Sequence, residues 1–214
     1  MNTTYRSTSR TTPTRYRERA RHDRETVHRI LDESLVCHLG YIRDGRPVVL
    51  PTIHTRIDET LYIHGSSGSG PMLAARLSGM PVCVTVTLID GLVLARSAMH
   101  HSMNYRSVVA YGTARIVEDP EEKLRALRAV LDHIRPGRAD DCRAPNAREV
   151  AATAVLALDL VEVSAKIREG GVSDDAEDLA LPYWAGVVPL RVTADAAAPD
   201  DDLDPATPLP PYLR

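Results

Sequence analysis

The amino-acid sequence predicts a mainly β fold with added helices, in which six or so antiparallel strands form a small closed or nearly closed barrel. Short apolar strands alternate with turn signals, and Asp44-Gly45 is typical of a two-residue hairpin turn. Helices with N-cap residues are inserted between those strands. A chain of 214 residues that is 43% hydrophobic can bury one such core. No internal repeat is evident, so we expect one domain with tails.

The first predicted elements are a helix and three strands. Asp23 can cap the helix, and its apolar stripe consists of Val27, Ile30, Leu31 and Leu35. The strands are predicted at residues 36–42, 47–57 and 60–64, with Asp58-Glu59 as the turn before the third.

A short helix and two paired strands are predicted next. The helix has the apolar residues Met72, Leu73, Ala75 and Leu77 and ends at Gly79-Met80-Pro81. Strands at residues 82–88 and 92–98 flank Ile89-Asp90-Gly91, which is predicted to be a second hairpin turn.

The remaining elements are two strands and two helix starts. A strand is predicted at residues 106–117, and a last long one at residues 155–167, stopped by Gly170-Gly171. Asp119-Pro120 opens a helix with the stripe Leu124, Leu127, Leu131 and Ile134. Asn146 and Glu149 have the spacing of a capping box, which marks another helix start.

The two ends of the chain differ in composition from its middle. Residues 1–22 are rich in Thr and Arg with almost no apolar periodicity, which predicts a flexible, solvated arm. Residues 193–214 carry Asp and Pro clusters, which predict an extended tail. The barrel domain is therefore expected at residues 23–192.

Charge, hydropathy and cysteine usage restrict the partners and the compartment. A net charge of −3 argues against general binding to nucleic acid or to a membrane surface. No apolar run approaches the length that spans a bilayer. Cys37, Cys83 and Cys142 are odd in number, and two of them fall within apolar strands. They are expected to be free thiols, so we predict a cytoplasmic protein.

The Gly/Ser loop, residues 65–70, follows a predicted strand and precedes a short helix. Exposed backbone N–H groups and the hydroxyls of Ser66, Ser67 and Ser69 can hydrogen-bond an anion there, which suggests a phosphate cradle. The glycines fit no dinucleotide fingerprint, and no Lys follows as in a P-loop. The alternative interpretation is a flexible hairpin loop.

Few single residues indicate a catalytic or ligand-binding role. His64 ends a strand beside the Gly/Ser loop, where it can touch a ligand or transfer a proton; alternatively it is a half-exposed strand-end residue. Adjacent His100 and His101 point in opposite directions on an extended chain, so no metal site is predicted. Arg106, between Tyr105 and Ser107, suits a phosphorylated aromatic ligand or is an ordinary rim residue.

Several segments together resemble the pyridoxamine 5′-phosphate oxidase superfamily, and within it the nitroimidazole-reductase-like flavin-nucleotide-binding proteins. They are the Asp-Gly hairpin, the strand around Pro51, Tyr62-Ile63-His64-Gly65 with its Ser-rich loop, Asn104-Tyr105-Arg106-Ser107-Val108, Val117-Glu118-Asp119-Pro120 and Trp184-Ala185-Gly186. The resemblance covers about residues 15–192. It implies a split β-barrel that binds FMN at a homodimer interface.

The resemblance also implies a set of site residues. The flavin ring would lie along Val49, Leu50, Pro51 and Thr52, and the phosphate near His64, Gly65, Ser66, Ser67 and Ser69. Tyr105, Arg106 and Ser107 would line the same cleft from one subunit or the other, with Lys166 and Trp184 at its rim.

The sequence departs from the pattern of these relatives at the residues expected to bind the phosphate. Relatives commonly place an Arg or Lys directly after the Ser-containing loop, whereas this chain has Gly70-Pro71-Met72 and its next cation is Arg76. Either Arg76 or Arg106 is expected to substitute, or flavin binding is weak. Of the two arginines we favour Arg106, with His64 beside the flavin ring.

Three functions remain open from the sequence. The chain is an FMN-dependent oxidoreductase of a small molecule, a barrel that holds flavin, haem or another cofactor without turnover, or a protein that contacts nucleic acid through its Arg-rich arm. The first is favoured and the last is the least expected.

Overall fold

The computed structural model describes residues 3–76 and 79–214. Its strands are β1 Ala20–Arg21, β2 Val36–Arg43, β3 Arg46–Ile57, β4 Thr60–Ser66, β5 Met80–Leu94, β6 Ser102–Ile116, β7 Thr153–Asp159, β8 Glu162–Arg168 and β9 Gly186–Pro189. Its α-helices are α1 Arg24–Glu33, α2 Gly70–Ala74, α3 Pro120–Ile134 and α4 Ala147–Ala152.

Six of the strands close into a ring. Hydrogen-bonded antiparallel neighbours follow the order β2, β3, β4, β7, β6, β5 and return to β2. Strand β8 pairs with the same edge of β6 as β7 does, and β1 and β9 extend the sheet at β8 and β5. The ring is thus split beside β6, and the predicted mainly β barrel with added helices is confirmed.

The barrel interior is one apolar core. It is filled by the inward-facing side chains of the strands, among them Leu39, Leu61, Val84, Val108 and Leu156. Helix α1 packs on this core through Val27, Ile30 and Leu31, each no more than 1% exposed. Asp23 caps α1 as predicted, because its carboxylate accepts a hydrogen bond from the Thr26 N–H at 2.8 Å. Leu35 falls beyond the end of α1 and is exposed, so it is not part of the stripe.

Local turn chemistry sets the β2–β3 hairpin. Asp44 and Gly45 have φ values of +51° and +71°, as a primed two-residue turn requires. The predicted hairpin turn is therefore confirmed, and the register pairs Arg43 with Arg46.

The second predicted hairpin, at Ile89-Asp90-Gly91, is wrong. β5 continues through it with a β-bulge, and neither Asp90 nor Gly91 has a positive φ. The Asp90 carboxylate instead accepts hydrogen bonds from Arg106 on the neighbouring strand. A Cβ at Gly91 would lie 3.1 Å from the carbonyl oxygen of Val188, so the glycine allows the close approach of β9. The chain reverses later, between the end of β5 at Leu94 and the start of β6 at Ser102.

In two helices the buried face differs from the predicted apolar stripe. In α3 the buried residues are Ala126 and Val130, whereas Leu124 and Ile134 of the predicted stripe are exposed. Small residues on the buried face let α3 lie close against the sheet. In α2, Met72 is buried and Leu73 is exposed. Ala75, directly after the helix, is buried, while Leu77 lies outside the described residues. The capping box of Asn146 and Glu149 is confirmed at α4.

The N-terminal segment is packed on the barrel, unlike the solvated arm that its composition suggested. Residues 1–2 lie outside the described part. Tyr5 is 5% exposed, and its hydroxyl donates to Glu59 at 2.7 Å and lies 2.8 Å from His28. Thr11 is buried, and Arg10 pairs with Glu162. One buried aromatic ring and its polar partners therefore order a segment that shows no apolar periodicity.

The C-terminal tail is mostly exposed but returns to the body at its end. The Tyr212 ring lies against Gly137, and its hydroxyl donates to Asp141 at 2.6 Å. Arg135 donates to the Tyr212 carbonyl. The last turn of the chain is thereby attached to the loop after α3.

We predict that Tyr5 contributes strongly to stability. Tyr5→Ala should lower the free energy of unfolding by about 3–5 kcal/mol, because it removes a buried aromatic side chain. Tyr5→Phe should lower it by only about 1–2 kcal/mol, since the ring stays and the hydroxyl is lost. Urea denaturation checks both, and an unchanged midpoint in Tyr5→Ala would show that the segment is not part of the folded unit.

Candidate functional site

The Gly/Ser loop joins β4 to α2 and is held by its own hydrogen bonds. The Ser69 N–H donates to the Ser66 carbonyl at 2.9 Å, and the Ser67 N–H donates to the Ala152 carbonyl at 2.9 Å. A Cβ at Gly65 would lie 3.1 Å from the Met72 methyl and 3.6 Å from Ser69 Oγ, so only a glycine lets α2 pack there without displacement. The loop therefore has a defined shape with hydroxyls on its surface.

Two arginines flank this loop. A Cβ at Gly70 would lie 2.8 Å from Arg43 Nη1 and 3.6 Å from the Tyr41 hydroxyl, so the guanidinium lies directly on the loop backbone. Arg76 Nη2 donates to the Ser67 carbonyl at 3.2 Å. Arg43 is largely exposed, and its ion pair with Asp44 spans 3.7 Å. Hydroxyls and two accessible guanidinium groups are the donors that a phosphate ester binds.

Sequence reasoning missed Arg43. It is the last residue of β2, before the Asp-Gly turn, and nothing in its neighbourhood along the chain indicates a ligand. Its position depends on the pairing of β2 with β3 and of β3 with β4, which is a long-range property. Arg76 was a candidate, and the structure brings it to the loop.

The part of β3 beside this loop has an exposed apolar surface. Val49 is 64% exposed and Leu50 is 40% exposed, next to Ile42 of β2 at 62%. Residues 46–53 pair with β2 along one edge, and their other edge has no strand partner within the described residues. Pro51, which has no N–H to donate, suits such an edge, and Thr52 follows it, half-buried. This apolar edge lies open in a single chain.

A second group of expected site residues lies on β6 and β8. Tyr105, Ser107 and Lys166 are half-buried, and Ser107 Oγ donates to the Lys166 carbonyl at 3.3 Å. In the ring of six strands, β3 and β6 are separated by two strands in either direction. One chain therefore places these residues across the barrel from Val49 and Leu50. Trp184 is exposed and lies over Gly186, where a Cβ would be 2.9 Å from the ring.

Arg106 is held by two carboxylates. Its guanidinium donates to Asp90 at 2.7 and 2.9 Å and to both carboxylate oxygens of Glu33. These bonds raise the pKa of Arg106, and they lower the pKa of Glu33. Its charge is already neutralised, so the geometry favours a structural role for Arg106 over the phosphate contact expected from the sequence.

The outer-face pocket is a separate cavity of about 520 Å³ between the sheet, α3 and α4. Most of its lining is apolar, and His64 is at its base. The lining residues are His64, Leu124, Leu127, Arg128, Val130, Leu131, Ala139, Cys142, Arg143, Ala144, Pro145, Glu149, Val150 and Thr153. Leu124, Leu127 and Leu131 of the predicted α3 stripe thus face this cavity, and Leu127 also packs against the small buried cluster beneath α3.

The alternation of side chains along β4 directs His64 into this pocket. Leu61 and Ile63 point into the barrel, whereas Tyr62 packs under α3 with Ala126 and Val155. His64 shares the face of Tyr62. Its Nδ1 is buried without a hydrogen-bond partner, and burial lowers the pKa of the imidazole. The side chain therefore lines the outer-face pocket, although its backbone leads into the Gly/Ser loop as expected.

Possible metal ligands, long apolar helices and the cysteines are the remaining features of the described residues. No group of three or more His, Cys, Asp or Glu side chains has the arrangement of a metal site within residues 3–76 and 79–214. Across the same residues, no helix has the length and apolar character needed to cross a membrane. The cysteines Cys37, Cys83 and Cys142 are free; Cys37 is buried and Cys142 is exposed.

Comparison with known proteins gives a family and several similar folds. A family model described as pyridoxamine 5′-phosphate oxidase matches residues 23–167. The flavocytochrome Anf3 from Azotobacter vinelandii is 40% identical, with 96% of this chain and 95% of that chain covered and a TM-score of 0.90. The FAD and heme binding protein from Mycobacterium smegmatis is 38% identical, with 91% and 95% covered and a TM-score of 0.86.

A more distant structure shares the fold alone. It is a 5-nitroimidazole antibiotic resistance protein from Bacteroides thetaiotaomicron, 23% identical, with 69% of this chain and 86% of that chain covered and a TM-score of 0.58. No curated protein shows significant similarity to the chain.

We predict that Arg106 stabilises the fold through its carboxylates. Arg106→Ala should lower the free energy of unfolding by about 1–3 kcal/mol near pH 7. The folded-state pKa of Glu33 is lowered, so this contribution is present above the ordinary Glu pKa of 4.5 and is lost as pH falls through the lowered value. The difference between the wild type and Arg106→Ala should therefore shrink on acidification.

Urea denaturation at neutral and acidic pH measures that difference, with Arg6→Ala, at an exposed position, as the control. A difference that stays constant with pH would exclude ion pairing as its origin.

Proposed function

Since the chain belongs to the pyridoxamine 5′-phosphate oxidase family, we propose that it is a flavoprotein oxidoreductase that binds FMN, or the FMN portion of FAD, at the Gly/Ser loop. The observation that carries this proposal is the pair Arg43 and Arg76, which face the hydroxyl-bearing loop from two sides. A doubly charged phosphate ester needs such donors, and Ser66, Ser67 and Ser69 add neutral ones.

Residues of β3 also offer a surface for the ring of a flavin, in addition to the site for its phosphate. The exposed apolar edge of β3 at Val49 and Leu50 offers a surface for a flat ring, and Pro51 and Thr52 continue it. A bound flavin would supply hydride or single-electron transfer. The chain's own residues would bind the phosphate, orient the ring along β3 and exclude water from it.

A homodimer completes the proposed cleft. Tyr105, Ser107 and Lys166 lie across the barrel from Val49 within one chain, so they reach a flavin on β3 only if they come from a partner subunit. The exposed side chains of Ile42, Val49 and Leu50 also favour burial against a second copy.

Haem is a further cofactor that this proposal includes. Two similar chains are described as a flavocytochrome and as an FAD and heme binding protein, and the outer-face pocket is a second cavity apart from the Gly/Ser loop. We propose that the protein transfers electrons between a small molecule and its cofactors. A cofactor carrier without turnover is the alternative. It would bind flavin that a nicotinamide donor does not reduce.

Nucleic acid is a less favoured partner. Of the arginines near the N-terminus, Arg10 pairs with Glu162 and lies over the Tyr111 ring, and Arg19 lies 3.9 Å over the Tyr16 ring. Packed arginines offer fewer contacts to phosphates than a solvated arm would.

We predict that Arg43 carries much of the flavin phosphate affinity. Arg43→Ala should weaken FMN binding by about ten- to a hundredfold, as the loss of a charge-assisted contact would. Arg106→Ala and the exposed control Arg6→Ala should bind FMN like the wild type. Fluorescence titration of the apoprotein measures all three. Normal FMN affinity in Arg43→Ala together with reduced affinity in Arg106→Ala would show that Arg106, and not Arg43, binds the phosphate.

We predict that the apolar edge of β3 forms the dimer contact. Val49→Asp should yield a monomer that has lost most of its flavin, because a carboxylate is costly to bury. Val192→Asp, at a side chain that is 100% exposed, is the matched control and should remain dimeric. Light scattering coupled to gel filtration measures both masses. A wild-type monomer at micromolar concentration would count against the dimer.

A further inference from the structure

A further cavity lies at the end of β8, where the N-terminal segment meets the chain that follows β8. Its volume is about 340 Å³, and its lining comes from two stretches of chain, within residues 18–21 and 167–173. We call it the β8 crevice. It shares no lining residue with the outer-face pocket or with the Gly/Ser loop. Its charged side chains are three arginines, Arg19, Arg21 and Arg168, and two carboxylates, Glu18 and Glu169.

Neutral oxygens orient two of these arginines. Arg21 Nη1 donates to two backbone carbonyls of its own turn, at 2.5 and 2.9 Å. Arg168 donates to the side-chain oxygen of Asn104 and, at 3.3 Å, to the Gly171 carbonyl. Within residues 3–76 and 79–214 neither guanidinium forms an ion pair with a carboxylate, in contrast to Arg106. Carbonyl and amide oxygens fix a guanidinium without neutralising its charge, so both charges stay available to an anion.

A strained turn positions the third arginine. Tyr16 has a φ of +56°, in the left-handed region that aromatic residues rarely adopt. The Arg19 N–H donates to the Tyr16 carbonyl at 3.0 Å, and the Arg19 guanidinium lies 3.9 Å from the centre of the Tyr16 ring. Its ion pair with Glu18 spans 3.9 Å and is therefore weak. Backbone strain of this kind is typical of ligand sites, where it holds a side chain in place.

The opposite wall of the crevice carries unused hydrogen-bond donors. In the part of the chain that the structure describes, the backbone N–H groups of Gly171, Val172 and Ser173 and the Ser173 hydroxyl donate no hydrogen bond. Successive free N–H groups are a common element of anion sites. The crevice thus presents guanidinium and backbone donors together, as sites for phosphate groups do.

We propose that the β8 crevice binds a diphosphate group, and that this group belongs to the nicotinamide dinucleotide donor. Only the identity of the donor rests on the proposed function; the binding of a diphosphate does not. A cavity of about 340 Å³ is at the small end of ligand sites and suits one part of a larger molecule. Several guanidinium groups match the charge and the paired oxygens of a diphosphate.

The place of the crevice in the sheet supports this donor. Arg168 on β8 is directly opposite Tyr105 on β6, and Lys166 lies two residues earlier on the same face of β8. Tyr105 and Lys166 belong to the proposed flavin cleft. A molecule held by its diphosphate in the crevice would therefore extend along β6 and β8 toward a flavin in the proposed dimer.

Two other ligands fit the crevice less well. The phosphates of a nucleic acid carry one charge each and are spaced along a strand, whereas the three guanidinium groups line one small cavity. A tricarboxylate such as citrate has the charge but spreads it over three separate groups. Both serve as competing ligands in the test.

The test is a calorimetric titration of FMN-loaded protein with pyrophosphate, ADP-ribose, citrate and a single-stranded oligonucleotide. Wild type should bind pyrophosphate and ADP-ribose saturably, with ADP-ribose at least as tight and citrate at least tenfold weaker. Arg19→Ala and Arg168→Ala should each weaken both diphosphates at least tenfold, as the loss of a charge-assisted contact would. Arg191→Ala, at an exposed arginine outside the crevice, is the control and should match the wild type.

A gain of affinity separates binding from misfolding. Glu18→Gln and Glu169→Gln each remove a negative charge from the lining, so both variants should bind pyrophosphate severalfold more tightly, which a misfolded protein would not do.

Several results would overturn the proposal. They are the absence of saturable pyrophosphate binding, unchanged affinity in Arg168→Ala, exclusion of ADP-ribose, or tighter binding of citrate or the oligonucleotide. A loss of affinity in Arg43→Ala but not in Arg168→Ala would place the diphosphate at the Gly/Ser loop instead. FMN fluorescence in the same samples reports the flavin site, so a failure at the crevice is distinguishable from a failure of the flavoprotein assignment.

Discussion

Strand β4 lies between the barrel core and the outer-face pocket, and its two faces supply side chains to both. It is paired with β3 on one edge and with β7 on the other, so its register cannot slip without breaking both ladders. Leu61 and Ile63 then fill the barrel, while Tyr62 and His64 face α3. A shift by one residue would bury the imidazole in the core and expose the apolar residues. The same strand also delivers its last residues to the Gly/Ser loop.

Ring closure is the reason that the proposed flavin cleft includes a second copy of the chain. The pairing of β5 with β6 completes the six-stranded ring and puts β3 and β6 on opposite sides of a filled core. Within one chain the residues on β6 and β8 therefore do not face the β3 edge, and in the proposed dimer a partner subunit would supply them. Arg106 is bound by Glu33 of α1 and Asp90 of β5, so its ion pairs connect this closure to the helix that packs on the core.

Local chemistry made much of the fold predictable, and long-range contacts explain the rest. Asp23, Asp119 and the Asp44-Gly45 turn act on their own neighbours, so the sequence predicted their roles correctly. Asp90-Gly91 has the same turn signal, but Arg106 and β9 hold it extended. Arg43 and the pocket beneath α3 had no local signal, because each depends on which strands become neighbours.

The proposed function requires that the folded protein hold a flavin at the Gly/Ser loop and the β3 edge, with haem as its second cofactor. The most direct test is a cofactor count on protein produced with riboflavin and a haem precursor in the medium, by chromatography of the released cofactors against chain concentration. Close to one flavin and one haem per chain are expected. Protein that contains neither cofactor, and that takes up neither when they are added to the folded dimer, would contradict it.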